Sequence, residues 1–241
     1  MSNPFDIDVT FDFRSDTPAG KDPDKRSRSL RRFHKLLWSK PLPSRVQFDL
    51  SDTSPGIYLH HQSELGEFSL SSDSVIPTFD YWQVPPPYLA HIPEAELEDF
   101  TRISYTIGGM MVFPSDQIDR KQTINQARGT NRTTIGDRFD LTLECIRRHY
   151  RGERNPLGET LTRYSEFFEL FGDFRGYVDF FLLQDLVMDD YDAVRFFTPF
   201  ADFTTPAVPE TLDEYKGYRQ LTIDFVRARN RRIADYCRAS E

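Results

Sequence analysis

Cysteine occurs only twice in the 241 residues, at Cys145 and Cys237. Two thiols in helix-like patterns make no disulfide scaffold, so a reducing, cytoplasmic setting is expected. No stretch approaches 18 consecutive apolar residues, and MSNPFDIDV carries no basic segment followed by an apolar one. Membrane spanning and secretion are therefore not expected. GxGxxG and GxxxxGK[ST] are missing, which removes the glycine-rich phosphate cradles. So are HExxH and CxxC, the common zinc frames. GxSxG is missing too, which disfavours a serine hydrolase. Positive charge is in short supply, with 30 Lys and Arg against 38 Asp and Glu, a net −8. That balance argues against general nucleic-acid coating but permits local basic patches. Internal repeats and low-complexity segments are absent.

Aromatic residues are plentiful: 21 Phe and 11 Tyr supply large apolar areas for a core. A chain of this length makes one large domain or two small ones. Composition shifts near residue 120 without a linker, so a single domain over 1–241 is expected, β-rich over 1–120 and α-rich over 121–241. The expected class is α+β, with an N-terminal mixed or antiparallel sheet covered by C-terminal helices.

The first half reads mainly as strands. Phe5 to Phe13 alternates apolar residues with Asp and Thr, the strongest strand pattern in the chain. A metal site from its three aspartates is a minor alternative to a solvated face. Val46–Leu50, Ile57–Leu59, Phe68–Leu70 and Met110–Phe113 read as further strands between Ser, Asp, Pro and Gly turns. His60-His61 ends one of them, and neighbours on a strand point to opposite faces, a poor arrangement for sharing a metal. Residues 25–39 predict a helix burying Leu30, Phe33, Leu36 and Leu37. From 21 to 40 there are eight Lys or Arg against two Asp, either a solvated face or a docking surface for nucleic acid or an acidic protein. Pro93 is placed to open a helix over Glu94–Phe100.

The second half reads as helices over 157–171, 174–187 and, behind the T-x-x-E box of Thr211 and Glu214, from there to about Arg238. The 174–187 stretch is apolar on nearly all sides and predicts a buried helix. Ala193–Phe197 suggests one more strand. The C-terminus gathers Arg227, Arg229, Arg231, Arg232 and Arg238, a second possible docking surface for an anionic ligand or protein partner.

Residues 103–150 look chosen for more than packing. Gly108-Gly109 permits close backbone approach or positive φ before the Met110–Phe113 strand. In the segment TINQARG, Asn125 offers a donor and an acceptor, and Arg128 a rigid fork of donors. On a helical turn their i, i+3 spacing places both on one face. A helix starting near Gly136-Asp137 carries Phe139, Leu143, Ile146 and Tyr150 on one side, with Leu141 and Cys145 almost opposite. Between these strips lie Asp137, Asp140, Glu144 and Arg148. Charges held between two covered faces must be paired or reactive, since an isolated buried ion is costly. They form either an ion-pair ladder or a cleft faced by Asn125 and Arg128.

The cleft reading assigns Asp137 and Glu144 as catalytic carboxylates and Asn125, Arg128 and Arg148 as ligand-binding groups. The ligand would be phosphate-bearing, a nucleotide or nucleic acid, with magnesium a possible cofactor on paired carboxylates. The alternative is a non-catalytic protein-interaction module such as an inhibitor, an immunity-type protein or a scaffold subunit. Asp119-Arg120-Lys121 matches half of a nuclease pattern, a short match of low specificity. Tyr58, His60 and Glu64 or Glu67 could furnish an ADP-ribosyl-transfer clamp without an ordered motif to support it. Cys145 sits in an apolar helical pattern, unsuited to a nucleophile.

The phrases IGGMMVFP, TINQARG, DRFDLTLECIRRHY, RGYVDFFLLQDLV and NPFDIDVTFDFRSDTP resemble those of an uncharacterised bacterial domain-of-unknown-function family. The likeness runs over nearly the whole chain. It implies a bacterial, soluble, single-domain protein and carries no catalytic residues with it.

Overall fold

A computed structural model describes residues 7–239. Helices α1 (Pro23–Arg26) and α2 (Arg28–Trp38) lead into two short strands, β1 (Lys40–Pro41) and β2 (Gln47–Phe48). A hairpin follows, β3 (Leu59–Ser63) and β4 (Gly66–Ser74), then α3 (Glu94–Ser104) and β5 (Met110–Pro114). The rest is helical: α4 (Ile124–Thr130), α5 (Phe139–Tyr150), α6 (Gly158–Arg163), α7 (Ser165–Glu169), α8 (Phe174–Phe180) and α9 (Leu212–Ala239). The strands make two antiparallel sheets, β1-β2 and β3-β4-β5. With the described strands all in the first half and most helices behind them, the class is α+β.

β4 is the central strand, with Leu70 opposite both Leu59 and Pro114 and Asp73 opposite Met111. All five residues of β5 are buried, as its unbroken apolar run requires of a strand covered on both faces. β4 alternates strictly. Ser72 turns to the His34 ring of α2 at 3.0 Å, while Ser71 meets Asn125 and Asp73 meets Arg128 on the other face.

α9 ties the halves together. Its buried residues Tyr215, Tyr218, Thr222, Phe225, Val226, Arg229, Ile233 and Cys237 recur every three or four positions apart from the adjacent pair Phe225-Val226, one continuous stripe. Glu214 N–H donates to Thr211 Oγ1 and Thr211 N–H to Glu214 Oε2, closing the box at its start. The stripe lies on the 310 turn Ile107–Gly109, where a Cβ on Gly108 would stand 2.4 Å from the Val226 carbonyl oxygen. Close approach, rather than positive φ, is what the paired glycines supply. Arg229, fully buried, donates to the carbonyls of Gly108, Met110 and Phe181.

Several expected elements take another form. Phe5 and Asp6 lie outside the described residues, and Ile7–Phe13 is a series of turns instead of a strand. Its aspartates explain why. Asp8 accepts from Thr10 N–H and Oγ1–H, and Asp12 from Arg14 N–H, local bonds that replace a ladder. The apolar partners still turn inward, Phe11 and Phe13 meeting Phe33 of α2 edge to face. The 157–171 helix is broken into α6 and α7 at Tyr164, and the 174–187 helix stops at Phe180, with Leu182 at φ 54°. Past the last turn the Phe181 carbonyl is left without an intrahelical donor and accepts from Arg229 of α9. Pro93 is the N-cap of α3 and not its first helical residue. The Ala193–Phe197 strand reduces to one bridge, Val187 to Val194. No helix among the described residues is long and apolar enough to cross a membrane. Both cysteines are buried, and burial pushes Cys145 well above the ordinary thiol range.

The basic segment is partly consumed by the fold. Arg31 donates to the Tyr58, Ile57 and Asp52 carbonyls, Lys35 pairs with Asp52, and Lys40 is buried.

Candidate functional site

α4 begins with a reciprocal box in which Thr123 and Gln126 cap each other's N–H groups. That start sets Asn125 and Arg128 on the side facing β4. Asn125 Nδ2 donates to Ser71 Oγ at 3.2 Å and to the Ser72 carbonyl at 3.4 Å. Its buried Oδ1 has no protein partner. Arg128 is completely buried beneath the Phe113 ring. Nε donates to Thr142 Oγ1 at 2.9 Å, Nη1 to Asp73 Oδ2, and Nη2 to the Asp137 carbonyl at 2.7 Å, with Asp137 Oδ1 at 3.4 Å. The guanidinium thus clamps two aspartates from behind.

α5 starts at Phe139, with Arg138 as its N-cap. Gly136 and Asp137 precede it at φ 58° and 62°, a left-handed pair that glycine tolerates and aspartate accepts more readily than most side chains. The pair turns Asp137 away from the helix axis toward a cavity of about 610 Å³. That volume suits a small-molecule site. Its walls are the 14–24 loop with α1, the end of β4, the 76–81 segment and the C-terminal end of α3. Five aspartates line it (Asp22, Asp24, Asp73, Asp80 and Asp137) against Arg14 and Lys21. Arg14 is already paired with Asp12 and Glu98.

The aspartates sense one another. Burial, followed by the Asp22 charge, pushes the Asp24 carboxyl up to about 7. Asp73 is raised well above the carboxylate range by burial, an effect that Arg128 opposes and Asp137 and Asp24 reinforce. Asp137 is raised by burial against the pull of Arg128 and a Tyr81 hydroxyl 3.4 Å away. Asp24 Oδ2 accepts from Ser74 N–H at 2.9 Å, while Oδ1 is buried with no hydrogen-bond partner. No group of three or more His, Cys, Asp or Glu among the described residues is arranged to hold a metal ion.

The charges of α5 and of the turn before it fall into three separate sets. Asp137 faces the cavity. Asp140 is sealed with Arg138, whose Nη1 also reaches Thr198 Oγ1 and the Ala207 carbonyl, both at 2.7 Å. Glu144 takes Arg147 at 2.8 Å and Arg148 at 2.7 Å, and Arg148 lies over the Phe203 ring. Burial would raise Glu144, but the hydrogen bonds from Arg147 and Arg148 win and hold it below the usual range. The structure therefore joins Arg128, Asp73 and Asp137, holds Asn125 on Ser71 and Ser72 instead, and leaves Glu144 and Arg148 in an ion-pair cluster farther along α5.

Among the cavity residues not singled out from the sequence are Asp22, Asp24, Asp73, Asp80, Tyr81 and Tyr105. Asp22 and Asp24 sit in a loop rich in Lys, Asp and Pro that reads as solvated. The available signal was Asp73, a carboxylate near the end of a strand whose preceding residues, Phe68 to Ser72, are Ser and apolar. A second cavity, about 590 Å³, lies between α9 and residues 184–197. Its Arg232 and Asp185 pair with each other at 2.8 Å, so less charge is left for a ligand.

No curated protein and no solved structure matches the chain. A family model does, over residues 7–233, and the chain belongs to that family, DUF6994, a family of unknown function.

Proposed function

We propose that the aspartate-lined cavity binds a small cationic ligand, an amine, and that Asp24 is the proton-exchanging group that receives it. The observation that carries this reading is Asp24 Oδ1, a carboxylate oxygen buried without a donor at the wall of an open cavity. A buried acceptor left unpaired costs about 1–3 kcal/mol, and an ammonium supplies the missing N–H together with the opposite charge. Thr17, Ser74, Thr78 and Thr101 add hydroxyls, and Tyr81 and Tyr105 add ring surface for an alkyl stem. A carboxyl near 7 also gives or takes a proton at neutral pH without a large driving force, which suits general acid–base work.

A phosphate-bearing ligand meets the same wall at a disadvantage. Arg128 is spent on Asp73 and Asp137, so the anion would need Lys21 or a magnesium ion between it and the aspartates. Thermal shift separates the two, because a ligand specific to the native state raises the midpoint by mass action. Putrescine, spermidine, magnesium chloride and AMP with and without magnesium form the panel, at pH 6 and pH 8. The expected result is a shift with putrescine and spermidine that grows at pH 8 and vanishes in Asp24→Asn. A shift with AMP and magnesium but none with amines would overturn the amine assignment in favour of phosphate. No shift with any member would favour the interaction-module alternative.

A further inference from the structure

Lys40 stands apart from the other lysines, Lys21, Lys25, Lys35, Lys121 and Lys216. It is only 9% exposed, whereas Lys21, Lys25, Lys121 and Lys216 are exposed and Lys35 pairs with Asp52. β1 places it there. Paired with Phe48 across the two-stranded sheet, Lys40 points inward while Pro41 points out. Its Nζ lies 5.1 Å from the Trp38 ring centroid, 4.7 Å from that of Phe180 and 4.5 Å from that of Tyr236. No carboxylate of the described residues lies within ion-pair distance of it.

The amine also borders an opening. A cavity of about 440 Å³ is lined by Lys40, Leu42, Phe180 and Tyr236. Pro41, Pro43 and Asp179 are exposed at its mouth. Arg229 lies 5.9 Å from the same Trp38 ring, which brings a second positive charge near the ammonium. We propose that Lys40 is a nucleophilic amine that captures a small apolar or aromatic aldehyde or ketone as an imine in this cavity. The apolar and aromatic walls accommodate the carbonyl compound's hydrocarbon body. The chemistry needs no cofactor: the amine lone pair adds to the carbonyl carbon, and a proton passes from nitrogen to oxygen. The carbinolamine then loses that oxygen as water, leaving a C=N bond with no net oxidation.

Protonation decides whether the lone pair is free. Burial, then Arg229, lowers Lys40 to about 7, with Cys237 and Asp179 pulling the other way. The three ring faces also favour the ammonium and recover part of that shift. The amine still ends below an ordinary lysine at about 10.4, as desolvated imine-forming lysines require.

The test uses the intact native chain. Benzaldehyde with sodium cyanoborohydride, which delivers hydride to the imine carbon and leaves a stable secondary amine, is applied at a series of pH values. Peptide mapping by mass spectrometry reads each lysine. Lys40 is expected to label about tenfold faster than any other lysine near neutral pH, with a midpoint roughly one unit or more below the ordinary lysine value. Lys40→Met should leave the labelling of the other five unchanged, but the comparison within the native wild type does not depend on that variant folding. Lys40 labelling no faster than Lys216, or labelling only after urea unfolds the chain, would overturn the proposal.

Discussion

Asparagine at position 24 tests the acidic cavity most directly. Asp24 rises from the ordinary 3.8 to about 7 in the folded chain. Below pH 4 the carboxyl is protonated folded or unfolded, and the group is neutral in both. Between about 4 and 7 the folded chain holds the proton more tightly than the unfolded one, so stability falls as pH rises through that window. Above 7 the carboxylate is charged in both states and the full penalty is present. A shift of about three units at 1.36 kcal/mol each sets that penalty at ~4 kcal/mol at most. Asp24→Asn keeps the acceptor for Ser74 N–H and puts an NH₂ where Oδ1 is unpaired, imitating the protonated acid. The variant should therefore match the wild type at pH 4 and exceed it by about 2–4 kcal/mol at pH 8. It also removes one of the charges that raise Asp73. Urea unfolding at both pH values measures the difference. A variant less stable at pH 8, or one whose advantage is the same at both pH values, would refute the picture of a carboxyl crowded by burial and like charge.

Other substitutions probe the supports. Arg128→Met strands Asp73 and Asp137 beside the cavity, and loss of a buried partner should cost about 3–5 kcal/mol at pH 7, read by thermal or urea unfolding; Arg128→Lys should not rescue it, since a point charge cannot reach Thr142, Asp73 and Asp137 together. Glu144→Gln should destabilise the chain near pH 7 yet leave any amine-dependent thermal shift intact. The Glu144 contribution is present above the unfolded carboxylate pKa and disappears as pH falls through the lowered folded value, so its effect should fade in unfolding experiments at low pH. Gly108→Ala forces a Cβ to 2.4 Å from the Val226 carbonyl and should lower stability by about 1–3 kcal/mol or more, whereas alanine at Gly129, where a Cβ meets nothing within 4 Å, should be harmless or slightly stabilising in a melt.

Periodicity and capping make much of the helical framework legible in the sequence. The α2 stripe of Leu30, Phe33 and Leu37, the Thr211–Glu214 box and the length of α9 follow from spacing alone, because a helix repeats its own pattern locally. The buried run of β5 and the glycine pair ahead of it were readable for the same reason. Ile7–Phe13 was not: alternation is shared by strands and by aspartate-rich turns, and which one forms depends on whether a neighbouring strand is there to pair with. The chain order of α5 placed Asp137, Asp140 and Glu144 on one strip but could not say that they part company. That was decided by what packs opposite each: Arg128 and Tyr81 at Asp137, Arg138 and the Phe197 backbone at Asp140, Arg147 and Arg148 at Glu144. Likewise Asp24 and Asp73 lie 49 positions apart, and only the docking of α1 against β4 makes them one charged wall. Local sequence determined the elements and their buried faces, since backbone bonding and side-chain spacing act over a few residues. Tertiary packing alone decided which carboxylates share a dry space, because burial and charge act through distances that sequence separation does not record.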